Sequence, residues 1–193
     1  ATEGLVRVVV KLGIPRRHQP RAVIGLAPQH HTIDMLQVLG HLRVGGDAAV
    51  DRGLAAAKSQ GSSSTWTINN HDQMRPATKY GLHPTVDRLR WKNSGGTTHP
   101  LDEVAGLNSA IAASMLIMAL PGCTYIYQGE ELGLQEVLDI PEDQIQDPQY
   151  LRNLKVDKGR DGCRVPLPWT KSGSSFGFGS GGAHLPQPNW FGD

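Results

Sequence analysis

An imidazole and a carboxylate stand side by side at His71 and Asp72, inside residues 65–75, TWTINNHDQMR. A buried strand gives a rigid base, and the first loop residues past it present such groups to a pocket, as α/β enzymes do with their chemistry. A second polar cluster, Gln128, Glu130 and Glu131, follows residues 123–127, CTYIY, in the same way. His-Asp by itself is more often turn and capping chemistry, so its weight depends on the elements around it.

Those elements are read from periodicity. Trp66 and Ile68 alternate with Thr65 and Thr67, a strand pattern. Before it, residues 47–60 are rich in helix formers, with Val50, Leu54 and Ala57 at helical spacing, Asp47 as N-cap and Gly61 as stop. After it, residues 71–100 are broken by Pro76, Gly81, Pro84, Gly95, Gly96 and Pro100 and read as a long loop, a length more often functional than not. A helix is expected from about Pro100, with Asp102 and Glu103 in its first turn. Val104, Leu107, Ile111, Met115 and Met118 form its apolar stripe and predict the core face. Pro121-Gly122 ends it, and residues 123–127 form the next strand. The order is a βα repeat; in a parallel sheet both polar clusters lie at C-terminal strand ends and share one pocket.

Composition narrows the classes. The chain has 193 residues, 19 Lys and Arg against 18 Asp and Glu, and a net charge of +1. No basic stripe points to nucleic acid. Residues 107–120 come nearest to a membrane span but carry Asn108, Ser109 and Ser114, so no membrane partner is expected. Cys123 and Cys163 lack metal-ligand neighbours and fit a reducing compartment. A soluble, cytoplasmic protein without metal or cofactor is the expectation.

Residues 1–47 differ from the rest. All eleven aromatic residues lie at or after Trp66, whereas His18, His30, His31 and His41 all fall in this segment. A strand is expected over residues 5–10 and a helix over residues 32–42. His30 and His31 are neighbours whose side chains point apart, which suits a solvated pair better than a metal site. Residues 1–47 are therefore left unassigned. Toward the other end, residues 151–157 suggest a helical turn, and the Gly-rich residues 172–193 carry Phe176, Phe178, Trp190 and Phe191, aromatics that dock a tail which composition alone would leave flexible.

Three segments in order, NNHDQ (residues 69–73), YIYQGEELG (125–133) and GRDGCRVPLPW (159–169), resemble the α-amylase superfamily of glycoside hydrolases, family 13, in its bacterial α-glucosidase and oligo-1,6-glucosidase branch. The resemblance covers residues 48–193. It implies a (β/α)8 barrel of which this chain is the C-terminal part, since a complete one takes about 250 residues. It implies NHD after strand seven and QGEE after strand eight. Asp72 then corresponds to the carboxylate that holds the distorted sugar of an oxocarbenium-like transition state, a catalytic role. His71, Arg75 and Arg160 correspond to substrate-binding groups, with Arg164 as the alternative to Arg160. Glu130 and Glu131 are supporting groups in this reading, and Trp169 is a packing residue. The implied partner is an oligosaccharide or disaccharide.

The family's nucleophile, in a Gly-x-Arg-x-Asp context, and its acid/base Glu have no counterpart here, because Glu3, Asp34 and Asp47 stand in other surroundings. The expectation is a piece of a retaining α-glucosidase, inactive alone, or else a non-catalytic carbohydrate-binding or transporter-associated relative. The break in composition near Asp47 has one explanation in a reading frame other than the native one. Resequencing the coding DNA checks it: a frame shift near codon 47 is the expected result, and a continuous frame counts against it.

Overall fold

The computed structural model describes residues 7–10, 32–34, 46–153 and 156–192, with side chains from Val50 onward. It forms two compact units, one with the described residues up to Ile68 and residues 111–128, the other with residues 69–110 and the described residues from 129.

The first unit is built on a parallel sheet. Strands β1 (Arg7–Val10), β2 (Thr32–Asp34), β3 (Thr65–Thr67) and β4 (Cys123–Ile126) lie in the order β1-β4-β3-β2. The two strands expected from alternation are thus direct neighbours, with Thr65, Trp66 and Thr67 opposite Cys123, Thr124 and Tyr125. Trp66 and Thr124 are fully buried, and Thr65 and Ile68 nearly so, the two-faced burial typical of parallel strands. Trp66 Nε1 donates to the Pro121 carbonyl at 2.8 Å, and Thr124 Oγ1 donates to the Ile117 carbonyl at 3.1 Å, so the strand entrance is closed by side chains. Helix α1 (Gly46–Ser59) enters one residue before Asp47 and ends as expected. Gly61 at φ +63°, with Gly61 N–H to Lys58 and Ser62 N–H to Ala57, makes a Schellman cap. The helix expected over residues 32–42 is contradicted at Thr32–Asp34, which is β2. The β-branched Thr32 and Ile33 pair there with Thr65 and Trp66. Residues 35–42 lie outside the described part.

The second unit holds two short helices inside the stretch read as loop, α2 (Pro76–Gly81) and α3 (Arg88–Asn93). Pro76 starts α2, and Asp87 caps α3 by accepting from Arg90 N–H at 3.0 Å. Two further helices follow, α4 (Glu103–Ala119), which continues into the first unit, and α5 (Pro148–Arg152). The helical turn expected at residues 151–157 is therefore earlier, because Asp147 caps α5 and Pro148 opens it. Asp102 Oδ1 accepts from Ala105 N–H at 2.9 Å and caps α4. Among the described residues no helix is long and apolar enough to cross a membrane.

The apolar stripe of α4 is not its core face. Val104, Ile111 and Met115 are 72%, 51% and 63% exposed, while Gly106, Ala110, Ala113 and Ile117 are buried. Small residues win that face because backbone comes close: a Cβ on Gly106 would stand 2.1 Å from the Ala77 carbonyl oxygen. Among the described residues the second unit has one apolar cluster around Leu82, Val86 and Trp91 and a larger one in the C-terminal segment. Val137, Ile140, Ile145, Tyr150, Val165, Leu185 and Phe191 form one cluster, with Phe176 packed edge-on to Phe191 at 6.1 Å. The Gly-rich tail thus docks through Phe191 and the partly buried Phe176, whereas Trp190 and Trp169 are exposed.

Replacing a helix-interior glycine by alanine ordinarily stabilises by about 1 kcal/mol. Gly106→Ala is expected to reverse that sign and destabilise by about 1–3 kcal/mol through overpacking, measured by denaturant unfolding.

Candidate active site

Asp72 sits in a turn made by its own neighbours. Asn70 Oδ1 accepts from Asp72 N–H at 2.8 Å, and the Asn70 carbonyl accepts from Gln73 N–H at 3.2 Å. The turn presents the Asp72 carboxylate with 44% of its side chain exposed. Two arginines converge on one oxygen, Arg160 Nη1 at 2.8 Å and Arg164 Nη2 at 2.9 Å from Asp72 Oδ1. The other oxygen, Oδ2, faces His71 Nε2 at 3.4 Å. One side of the carboxylate is therefore anchored and the other is turned toward an exposed imidazole.

The arginines are themselves held. Arg160 gives Nε to Asp147 Oδ2 at 2.7 Å and Nη2 to Asp147 Oδ1 at 2.9 Å, a two-pronged pair with a carboxylate that is wholly buried. These hydrogen bonds outweigh burial and hold the Asp147 carboxyl far below its usual range, while Asp147 pushes the Arg160 guanidinium up. Arg164 gives Nε to the His71 carbonyl at 2.8 Å. The same carbonyl lies 3.4 Å from the Cys163 thiol, which burial pushes up to about 12 and so keeps unreactive. Neither cysteine forms a disulfide.

Of the four residues singled out from sequence, His71, Asp72 and Arg160 come together. Arg75 does not join them at the surface. It is 1% exposed, its Nη2 donates to the Cys163 carbonyl at 3.1 Å, and its N–H donates to Glu136 Oε2 at 2.9 Å. Arg75 is a buried cation beneath the loop, with Gly129, Glu136 and Cys163 closing over it. Gly129 is needed for that closure: at φ +90° it passes Arg75 Nη1 where a Cβ would stand 2.1 Å away. Of the two supporting acids, Glu131 accepts from Gly129 N–H at 2.7 Å.

Asp147 and Glu136 were missed in the sequence. Asp147-Pro148 carries a helix-start signal that identifies a cap but not the Arg160 pair thirteen residues away. Glu136 has no local signal. Its N–H donates to Thr78 Oγ1 at 2.7 Å, and it lines a pocket of about 210 Å³ beside Asp72 with Lys79, Arg88 and Lys92.

Burial pushes the Glu136 carboxyl from 4.5 up to about 7, with the Arg75 N–H and charge pulling the other way. A raised acid binds more protons folded than unfolded between these values. Its contribution is therefore present below pH 4.5 and lost as pH rises through about 7. Relative to Glu136→Gln, the native chain is expected to lose stability on the order of 3 kcal/mol across that window. Urea unfolding of both proteins at several pH values checks it, and parallel pH curves would contradict it.

Comparison with known proteins places the chain in a family. The alpha amylase catalytic domain family matches residues 48–192. A probable alpha-glucosidase of Rhizobium meliloti (strain 1021) is 36% identical over 121 residues, 63% of this chain and 18% of that protein. An oligo-1,6-glucosidase of Parageobacillus thermoglucosidasius is 27% identical over 141 residues, 64% of this chain and 22% of that protein. Among solved structures, the alpha-glucosyl transfer enzyme XgtA shares 30% identity over 72% of this chain and 22% of its own, with a TM-score of 0.45. The chain thus spans about a fifth of the length of these curated relatives. With three quarters of its residues matched, from Ala48 through Gly192, the chain belongs to the alpha-amylase catalytic-domain family of glycoside hydrolases.

Proposed function

We propose that this chain is the C-terminal part of the (β/α)8 barrel of a retaining α-glucosidase, with β3 and β4 as strands seven and eight. Its proposed substrates are malto- or isomalto-oligosaccharides, from which the whole enzyme releases terminal α-linked glucose. The observation that carries the reading is the half-exposed Asp72 carboxylate, with Oδ1 tied to two guanidiniums and Oδ2 left toward His71. A carboxylate held this way keeps its position as positive charge develops on a sugar ring, and it costs no reorganisation at that moment. Oδ2 accepts from sugar hydroxyls in this reading, and exposed His71 donates to the same sugar. Arg160 keeps a place at the edge of the site, one-third exposed, whereas Arg75 supports the loop from below.

Retaining hydrolysis takes two further carboxyl groups about 5–5.5 Å apart, nucleophile and acid/base. The Gly-x-Arg-x-Asp context of the nucleophile does not occur in this sequence. The chain alone is therefore expected to turn over neither maltose nor isomaltose, and an enzyme encoded with the recovered upstream sequence is expected to hydrolyse at least one. Asp72→Asn in that enzyme lowers kcat by about 10²–10³-fold, the scale for losing one preorganised transition-state contact. Turnover by the chain alone, abolished by Asp72→Asn, would overturn its inactivity. An upstream sequence lacking both carboxylate contexts would replace hydrolysis by carbohydrate binding.

A further inference from the structure

Asp147 is the most heavily liganded carboxylate of the site, yet nothing outside the protein can touch it: its side chain is 0% exposed. It accepts four hydrogen bonds, from Arg160 N–H, Nε and Nη2 and from Gln149 N–H. Its own main chain is fixed in turn, because buried Asp161 accepts with Oδ2 from Gln146 N–H at 2.6 Å and Asp147 N–H at 2.9 Å. Gly159 runs past it so closely that a Cβ there would stand 2.7 Å from the Asp147 Cβ.

A guanidinium is a rigid plane, so fixing two of its nitrogens determines where the third points. Asp147 holds Nε and Nη2 of Arg160, and the remaining Nη1 meets Asp72 Oδ1 at 2.8 Å. The charges also match in number. Arg160 and Arg164 facing Asp72 alone would leave an excess positive charge where the proposed reaction develops one. The buried carboxylate of Asp147, 2.7 Å from Arg160 and 3.9 Å from Arg164, cancels it. We infer that Asp147 is a positioning residue that acts through Arg160 to hold the Asp72 carboxylate in one orientation. The inference rests on the reading of Asp72 given above; Asp147 itself touches no substrate.

The competing role is a clip that merely joins residues 146–149 to residues 159–161. Side-chain NMR of the chain separates the two, by hydrogen exchange of Arg160 Nε–H and by the Hα–Hβ couplings that report Asp72 χ1. Asp147→Asn is expected to speed Nε–H exchange at least about tenfold, the low end for losing a charge-assisted hydrogen bond, and to average Asp72 χ1. Asp72→Asn is expected to leave Arg160 Nε–H protected, since Asp72 holds Nη1 only. Arg160→Lys, which cannot form the fork, is expected to average Asp72 χ1 as fully as Asp147→Asn, and the double variant to add nothing. A single Asp72 rotamer in Asp147→Asn, with only a lower unfolding temperature, overturns the inference. If Asp147→Asn does not fold, Arg160→Lys decides alone by the same Asp72 coupling. In the enzyme completed with its upstream sequence, Asp147→Asn is expected to lower kcat about tenfold or more with KM little changed. A completed wild type without glycosidase activity would remove the α-glucosidase reading while the NMR result still decides the positioning.

Discussion

The pairing of Arg160 with buried Asp147 is the constraint on which the second unit's site depends. A carboxylate removed from water is costly unless every lone pair is used, and Asp147 uses its own on one guanidinium and two backbone N–H groups. Because that account is closed inside the protein, Arg160 reaches the surface already oriented. The turn at Asn70 brings Asp72 to it from the other side, and Arg164, anchored on the His71 carbonyl, completes the pincer. Segments distant in sequence, residues 70–73, 146–149 and 159–164, are joined by charge-assisted hydrogen bonds rather than by apolar contact. Apolar packing is placed beside them, in the cluster around Val137, Tyr150 and Val165.

A second buried charge lies beneath. Arg75 is enclosed by the Cys163 carbonyl and the segment carrying Glu136, and its guanidinium leaves room at Gly129 for no side chain. Glu136 links Arg75 N–H to its own neighbourhood, while Thr78 Oγ1 ties α2 to the Glu136 N–H. The loop carrying His71 and Asp72 is thus supported from below by a polar interior. Lys92, paired with Asp157 at 2.9 Å, extends the same polar layer along α3.

Much of the site was legible in residue order. The alternation around Trp66, the helical spacing after Asp102 and the run 123–127 were enough to place two parallel strands with a helix between them. The three segments carrying NNHDQ, YIYQGEELG and GRDGCRVPLPW then led to the family. What misled was the α4 stripe. Val104, Ile111 and Met115 have the period of a core face, but hydropathy does not register how near the neighbouring backbone comes, and at Gly106 that distance excludes a side chain. The burial of Arg75 was not legible for a related reason, since its position next to HDQ says nothing about the segments that close over it.

Local chemistry was therefore determined by the sequence alone: which residues begin and end helices, which strands alternate, and that a carboxylate and an imidazole follow β3. Asp102 and Gly61 act within a few residues of themselves, so their effects were readable there, whereas Pro76 and Asp87 start α2 and α3 inside the stretch read as loop. Only the tertiary structure decided which cation answers which acid. Arg160 and Arg164 lie 88 and 92 residues from Asp72, and Asp147 lies thirteen from Arg160, separations at which no periodicity carries information. Burial made the same decision for Arg75 and Glu136, because the cost of taking a charge out of water depends on what surrounds it in space rather than along the chain.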